Sequence, residues 1–88
     1  MKRLVWGSTF KRAFRKRVQG GSDEAPFRRQ LALFVTNPLD PRLQTHKLTG
    51  KLQHLWAFTV SYDCRVVFKF TSDEEVVLID IGSHDEVY

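Results

Sequence analysis

The sequence predicts an α+β fold in which an N-terminal strand and a helical hairpin pack on one face of a small, mainly antiparallel sheet. Three observations predict it. Apolar residues recur at helical spacing in two stretches between residues 8 and 36, the period changes to two between residues 56 and 82, and the chain is 88 residues long without internal repeats. That length allows one modest core, so residues 1–88 form a single domain.

The first element is the short strand "KRLVW", after which "GST" offers Ser8 or Thr9 as a helix N-cap. In the helix that follows, Phe10, Ala13, Phe14 and Val18 fall on one face, and Lys11, Arg12, Arg15, Lys16 and Arg17 spread over the rest. The glycines of "QGGSDEAP" stop this helix, and Ser22 or Asp23 caps the next, with Pro26 in its first turn. Phe27, Leu31, Phe34 and Val35 form the second apolar stripe, which Pro38 ends near Thr36. The stretch "NPLDPRLQTHKLTGKLQHL" has two prolines and no steady period, and reads as a long connection.

Two alternating strands follow, "WAFTVS" and "CRVVFKF", and then "EEVVLIDIG", apolar on both faces and therefore central. A three-residue loop at Tyr62–Cys64 would pair Val60 with Val66 and Phe58 with Phe68. A two-residue turn at Ser72–Asp73 would pair Phe68 with Val77, Val66 with Ile79 and Arg65 with Asp80. On that register the face away from the helices carries Thr59, Ser61, Arg65, Val67, Lys69, Leu78 and Asp80, with His84 just beyond.

The charge is unevenly distributed. Residues 1–51 hold twelve Lys/Arg and three Asp/Glu, whereas residues 52–88 hold two and seven, for a net charge of +4. The cluster "FKRAFRKR" is the electrostatic footprint expected for a phosphate-rich partner, the competing reading being a solvated cationic helix face. No apolar run approaches a membrane span or a secretion signal, so an intracellular, cytoplasmic protein is expected. The single Cys64 can form no internal disulfide and reads as a small hydrophobe at a strand end. The spacing of His46, His84, Asp85 and Cys64 gives no zinc pattern, so no metal and no cofactor are expected.

The order of strand, helical hairpin, "HKLTGKL" loop, "YDCRVVF" and "IGSHDEVY" resembles the RelE/YafQ-type toxins of bacterial type II toxin-antitoxin systems over essentially the whole chain. This resemblance implies a RelE-like fold and an mRNA interferase, a ribosome-dependent endoribonuclease cutting mRNA in the A site without metal. The RNA's own 2′-hydroxyl would be the nucleophile, giving a 2′,3′-cyclic phosphate or its hydrolysed product. It also implies three partners: a cognate antitoxin protein, mRNA, and the ribosome with its 16S rRNA.

Such cleavage needs a group to take the 2′-hydroxyl proton, another to protonate the leaving 5′ oxygen, and a cation for the phosphate. On the resemblance, His84 is the first general acid/base and His46 the second proton carrier, a chemistry imidazole suits near neutral pH. Arg65 would stabilise the phosphate, Asp63 would orient a histidine or act as a base, and Tyr88 would stack on a base or contact the phosphate. Lys11, Arg12, Arg15, Lys16, Lys47, Lys51 and Lys69 would bind RNA. Each has a plainer competitor: His84 as a strand-end cap, Arg65 as the partner of Asp80, Asp63 as an ordinary turn residue. His54, which no motif claims, is read as a surface residue. Asp80 stands where some family members carry an arginine, so two further readings stay open: a ParE-like toxin that poisons DNA gyrase, and a degenerate module that only binds antitoxin or RNA.

Overall fold

The computed structural model describes residues 2–88. Strand β1 (Arg3–Trp6) runs into helix α1 (Ser8–Arg17) through Gly7, which takes the N-cap position expected for Ser8 or Thr9. A Cβ at Gly7 would stand 2.8 Å from the Leu78 carbonyl oxygen, to which the Gly7 N–H donates at 3.0 Å. Glycine is therefore what lets the chain leave the strand while touching its neighbour. After a turn through Gly20, whose φ is +79°, helix α2 spans Glu24–Thr36, with Pro26 in its first turn and Asn37 ending it before Pro38.

The sheet adds β2 (His46–Lys47), β3 (Trp56–Ser61), β4 (Cys64–Phe70) and β5 (Glu75–Gly82) in the order β1-β5-β4-β3-β2. Only β1 with β5 is parallel; the other three pairs are antiparallel. The last strand, expected to be central, is interior, between β1 and β4, while β4 holds the middle of the sheet. The last helix, α3 (His84–Val87), takes up the tail. The helix replaces the strand tip expected there, and its signal is the S-x-x-E spacing of Ser83 and Glu86, a capping box that the structure forms.

The helical hairpin covers one face of the sheet, as expected. Phe10, Phe14 and Val18 of the α1 segment and Phe27 and Phe34 of α2 pack on Phe58, Val60, Val66, Phe68, Val76, Leu78 and Ile81, all buried. Phe34 sits with ring centroids 4.7 Å from Phe58 and 4.8 Å from Phe68. Each such burial contributes about 1.5–3 kcal/mol. Leu31 and Val35 are only half buried and lie at the margin of the stripe.

Both expected registers are corrected. Between β3 and β4 the turn has two residues, Tyr62 and Asp63, and a bulge at Val60 brings Phe58 opposite Val66. This is a slip of two residues, which preserves faces, so the core assignments there survive. The bulge does turn Ser61 toward α2, where its hydroxyl donates to Asp23 Oδ1 at 2.8 Å. Between β4 and β5 the turn is one residue longer than expected, closed by the Thr71 N–H donating to the Glu75 carbonyl at 3.0 Å. Phe68 therefore faces Leu78. A one-residue slip exchanges faces: Val76 and Leu78, not Val77 and Ile79, enter the core. A second irregularity, at Ile79–Asp80, sets Val67 opposite Asp80 and Arg65 opposite Gly82, which removes the expected Arg65–Asp80 pair.

The other face of the sheet is not bare. Leu48, Ala57 and Val67 are buried there under Leu52, Leu55, Ile79 and Val87. The segment from β2 to β3 and helix α3 thus fold over the surface that the sequence left half-polar and open.

Candidate active site

The long connection is held by specific bonds rather than by a regular element. Asp40 caps a short 3₁₀ turn, Pro41–Leu43, accepting from the Arg42 N–H at 2.9 Å, and Leu43 beneath it is fully buried. Gln30 of α2 donates to the Arg42 and Thr59 carbonyls at 3.0 and 2.9 Å, and the Thr45 hydroxyl donates to the Pro38 carbonyl. Gln44 follows with φ 52°, a left-handed backbone unusual outside glycine, and its side-chain oxygen accepts from Thr59 Oγ1 at 3.2 Å. These restraints deliver His46 to the short edge strand β2, where it pairs with Ala57.

A cleft of about 540 Å³ opens between this segment and α3. Its walls are His46, Lys47, Leu48, Thr49, Lys51 and Leu52 on one side and His84 and Tyr88 on the other. Leu48 and Leu52 belong to the small apolar cluster, so the floor is the sheet face opposite the helical hairpin. Two histidines 38 positions apart in sequence, two lysines and a tyrosine therefore meet in one depression.

Their orientations follow from local contacts. His46 Nδ1 lies 3.0 Å from the Gln44 carbonyl, which can only accept, so in the neutral ring Nδ1 carries the proton and Nε2 keeps its lone pair. His84 begins α3 with its side chain largely exposed, Nδ1 3.6 Å from Asp85 Oδ1. The rings of His84 and Tyr88 meet edge to face at 4.5 Å, one helical turn apart. Burial raises the Tyr88 phenol above its ordinary pKa, opposed by the nearby Arg65 charge, so the hydroxyl is a proton donor at neutral pH.

The other candidates lie outside the cleft. Arg65 is half-buried on the same side of the sheet, and its Nη1 donates to the carbonyls of Ser61, Tyr62 and Cys64 at 2.9, 3.0 and 3.3 Å. Asp63 occupies the exposed β3–β4 turn, and Lys69 is exposed further along β4. Lys11, Arg12, Arg15 and Lys16 are exposed on α1, across the sheet from the histidines, so the expected RNA-binding set falls into two surfaces. His54 is exposed, as read. Cys64 is buried, and burial pushes its thiol up to about 12. Among the described residues no three His, Cys, Asp or Glu side chains cluster as a metal site would require.

Sequence reasoning missed Arg17. Its spacing places it among the cations on the polar face of α1, but its Nη1 donates to the Ile81 carbonyl at 2.9 Å and meets Asp80 Oδ1 at 3.3 Å, while its Nε lies 3.4 Å from Glu86 Oε2. Its place directly before Val18 at the end of the helix was the available signal, too weak alone to separate it from its neighbours.

Comparison with known proteins places the chain. In solved structures the whole chain superposes on a copper-bound mutant toxin from Helicobacter pylori, with TM-score 0.81, 28% identity and full coverage of both chains. It superposes equally on YafQ from Escherichia coli strain BL21(DE3), with TM-score 0.82, 14% identity, and 100% and 99% of the two chains covered. A further match, with TM-score 0.81, 14% identity and the same coverage, is YafQ within the E. coli DinJ-YafQ complex. No curated protein sequence matches. The family description "Bacterial toxin of type II toxin-antitoxin system, YafQ" matches residues 2–88, and the chain belongs to that family of toxins.

Proposed function

We propose that this toxin is a ribosome-dependent endoribonuclease that cuts mRNA in the cytoplasm, where it meets ribosomes, and inhibits translation until a cognate antitoxin covers it. The observation that carries the reading is the meeting of His46, His84 and Tyr88 with Lys47 and Lys51 in one cleft. The DinJ-YafQ complex of the E. coli relative supports the antitoxin.

In this reading His46 Nε2, its lone pair free, takes the proton of the RNA 2′-hydroxyl. The 2′ oxygen attacks phosphorus, the bond from phosphorus to the 5′ oxygen breaks, and His84 supplies a proton to the departing oxygen. The product is a 2′,3′-cyclic phosphate. Lys47 and Lys51 offset the charge gathering on the phosphate. Arg65 assists through Nε and Nη2, since its bonds to the turn carbonyls use Nη1. The Tyr88 ring stacks on a base or its hydroxyl donates to the phosphate. Asp63, at the turn, is given no proton step. The 2′-hydroxyl supplies the nucleophile, so no metal is required. On the opposite side of the domain, the α1 cations Lys11, Arg12, Arg15 and Lys16 hold rRNA by charge.

The test uses purified toxin, either untreated or treated with EDTA and then dialysed free of it, ribosomes programmed with a defined mRNA in their own Mg²⁺ buffer, and primer extension across the A-site codon. Cleavage by the EDTA-treated, dialysed toxin that disappears in His84→Ala and His46→Ala supports the reading. Intact message with the wild-type toxin, or full cleavage by both variants, would overturn it.

A further inference from the structure

Arg17 is the last residue of α1, and its side chain, 28% exposed, forms ion pairs with Asp80 and Glu86. Lys11, Arg12, Arg15 and Lys16 take part in none of the ion pairs among the described residues. Strand β1 stops at Trp6, opposite Leu78, so β5 continues past it without a strand neighbour on that side. Arg17 fills the gap, donating to the Ile81 carbonyl at 2.9 Å and to Asp80 Oδ1 at 3.3 Å, an oxygen that also accepts from the Ile81 N–H at 2.8 Å.

The same guanidinium reaches the tail. Glu86 turns Oε2 to Arg17 Nε at 3.4 Å and Oε1 to the Ser83 N–H at 2.7 Å, while Ser83 Oγ accepts from the Glu86 N–H at 3.3 Å. One carboxylate thus closes the capping box of α3 and ties it to α1. Gly82 leaves room for this: a Cβ there would stand 2.8 Å from Arg17 Nη1 and 2.9 Å from Glu86 Oε1. A helix of four residues cannot hold its own direction, so contacts outside it must do so.

We propose that Arg17 is a positioning residue for the cleft: by joining Asp80, the Ile81 carbonyl and Glu86, it fixes the direction in which α3 leaves β5 and so holds His84 and Tyr88 facing His46. Its consequence for catalysis rests on the ribonuclease reading above. The Glu86 carboxyl is held below its ordinary range, first by the Ser83 N–H and further by the Arg17 and Lys16 charges, which favours the carboxylate that faces Arg17.

Three variants of the full-length toxin test this. Arg17→Lys keeps the charge but cannot span the three acceptors. Gly82→Ala keeps every charge but crowds both the guanidinium and the Glu86 carboxylate aside. Glu86→Gln keeps the capping bond to Ser83 and drops the ion pair. In the free protein, ¹⁵N order parameters at Glu86, Val87 and Tyr88 should fall from about 0.85 to below about 0.6 in Arg17→Lys and Gly82→Ala, with a smaller fall in Glu86→Gln. On programmed ribosomes kcat should fall by up to about 10²-fold in the first two, with KM unchanged. The Arg17→Lys/Gly82→Ala double variant should be no worse than either single one, because both break the same latch.

An ordered tail and wild-type kcat in Arg17→Lys would overturn the proposal. So would a raised KM at unchanged kcat, which would make Arg17 an attractor of RNA. If Arg17→Lys does not fold, Glu86→Gln, which leaves Gly82 and the capping bond in place, decides the question. If the wild type cuts no RNA, the ribonuclease reading fails, and the order parameters alone decide whether Arg17 holds the tail.

Discussion

The His46 imidazole donates through Nδ1 to the Gln44 carbonyl at 3.0 Å, and Gln44 is the one non-glycine residue with positive φ among those described. That carbonyl, accepting from the ring, fixes the tautomer of a histidine that lines the cleft and leaves the Nε2 lone pair free. In the proposed mechanism each imidazole is a proton carrier. His46→Ala and His84→Ala should each lower the rate of mRNA cleavage by about 10² to 10⁴-fold, with the fold unchanged by circular dichroism. Loss of less than tenfold in both would assign the proton transfers to other groups.

Tyr88 offers a ring to His84 and a hydroxyl to the cleft, and two substitutions separate the contributions. Tyr88→Phe retains the edge-to-face contact at 4.5 Å, whereas Tyr88→Ala removes it. If the ring's role is stacking, the phenylalanine variant keeps most of the cleavage rate and the alanine variant loses it. Equal losses would place the function in the hydroxyl.

Cys64 gives a pH dependence of stability that is independent of the cleft. Burial raises its thiol from 9.0 to about 12, so above pH 9 the unfolded chain sheds a proton that the native chain keeps. The unfolded state then binds fewer protons, and stability falls as pH rises from about 9 toward 12, by at most about 1.4 kcal/mol per pH unit from this group. Urea melts of wild type and Cys64→Ala across that range should diverge in slope. Below pH 9 the native thiol should resist iodoacetamide until the chain unfolds.

Phe34 joins α2 to the sheet through its stacked and edge contacts with Phe58 and Phe68. Phe34→Ala should cost about 3–5 kcal/mol, read from the urea midpoint. For a domain of this size that approaches total stability, so the variant should be largely unfolded near body temperature.

The elements were legible because their periods are local. Phe10, Ala13, Phe14 and Val18 declare a helix face without reference to anything else, and the alternation around Phe58 and Phe68 declares strands. Register was not legible, because it depends on turn length and bulges: one extra residue in the Ser72–Glu74 turn moved Leu78 into the core and Ile79 out of it. His46, His84 and Tyr88 were named through the resemblance, and their convergence depends on a connection ordered by Gln30, Asp40 and Thr59, none of which carries a motif. Asp80 was given the wrong partner for the same reason. Its arginine lies 63 positions away, and only the packing of α1 on β5 brings it there.

The outermost strands of the sheet are four and two residues long, β1 and β2. Each rim thus offers few main-chain donors and acceptors, and the shorter one carries Lys47. Another copy seeking to extend the ladder finds little to grip and a charge to bury, which discourages cross-β stacking when the toxin accumulates unescorted.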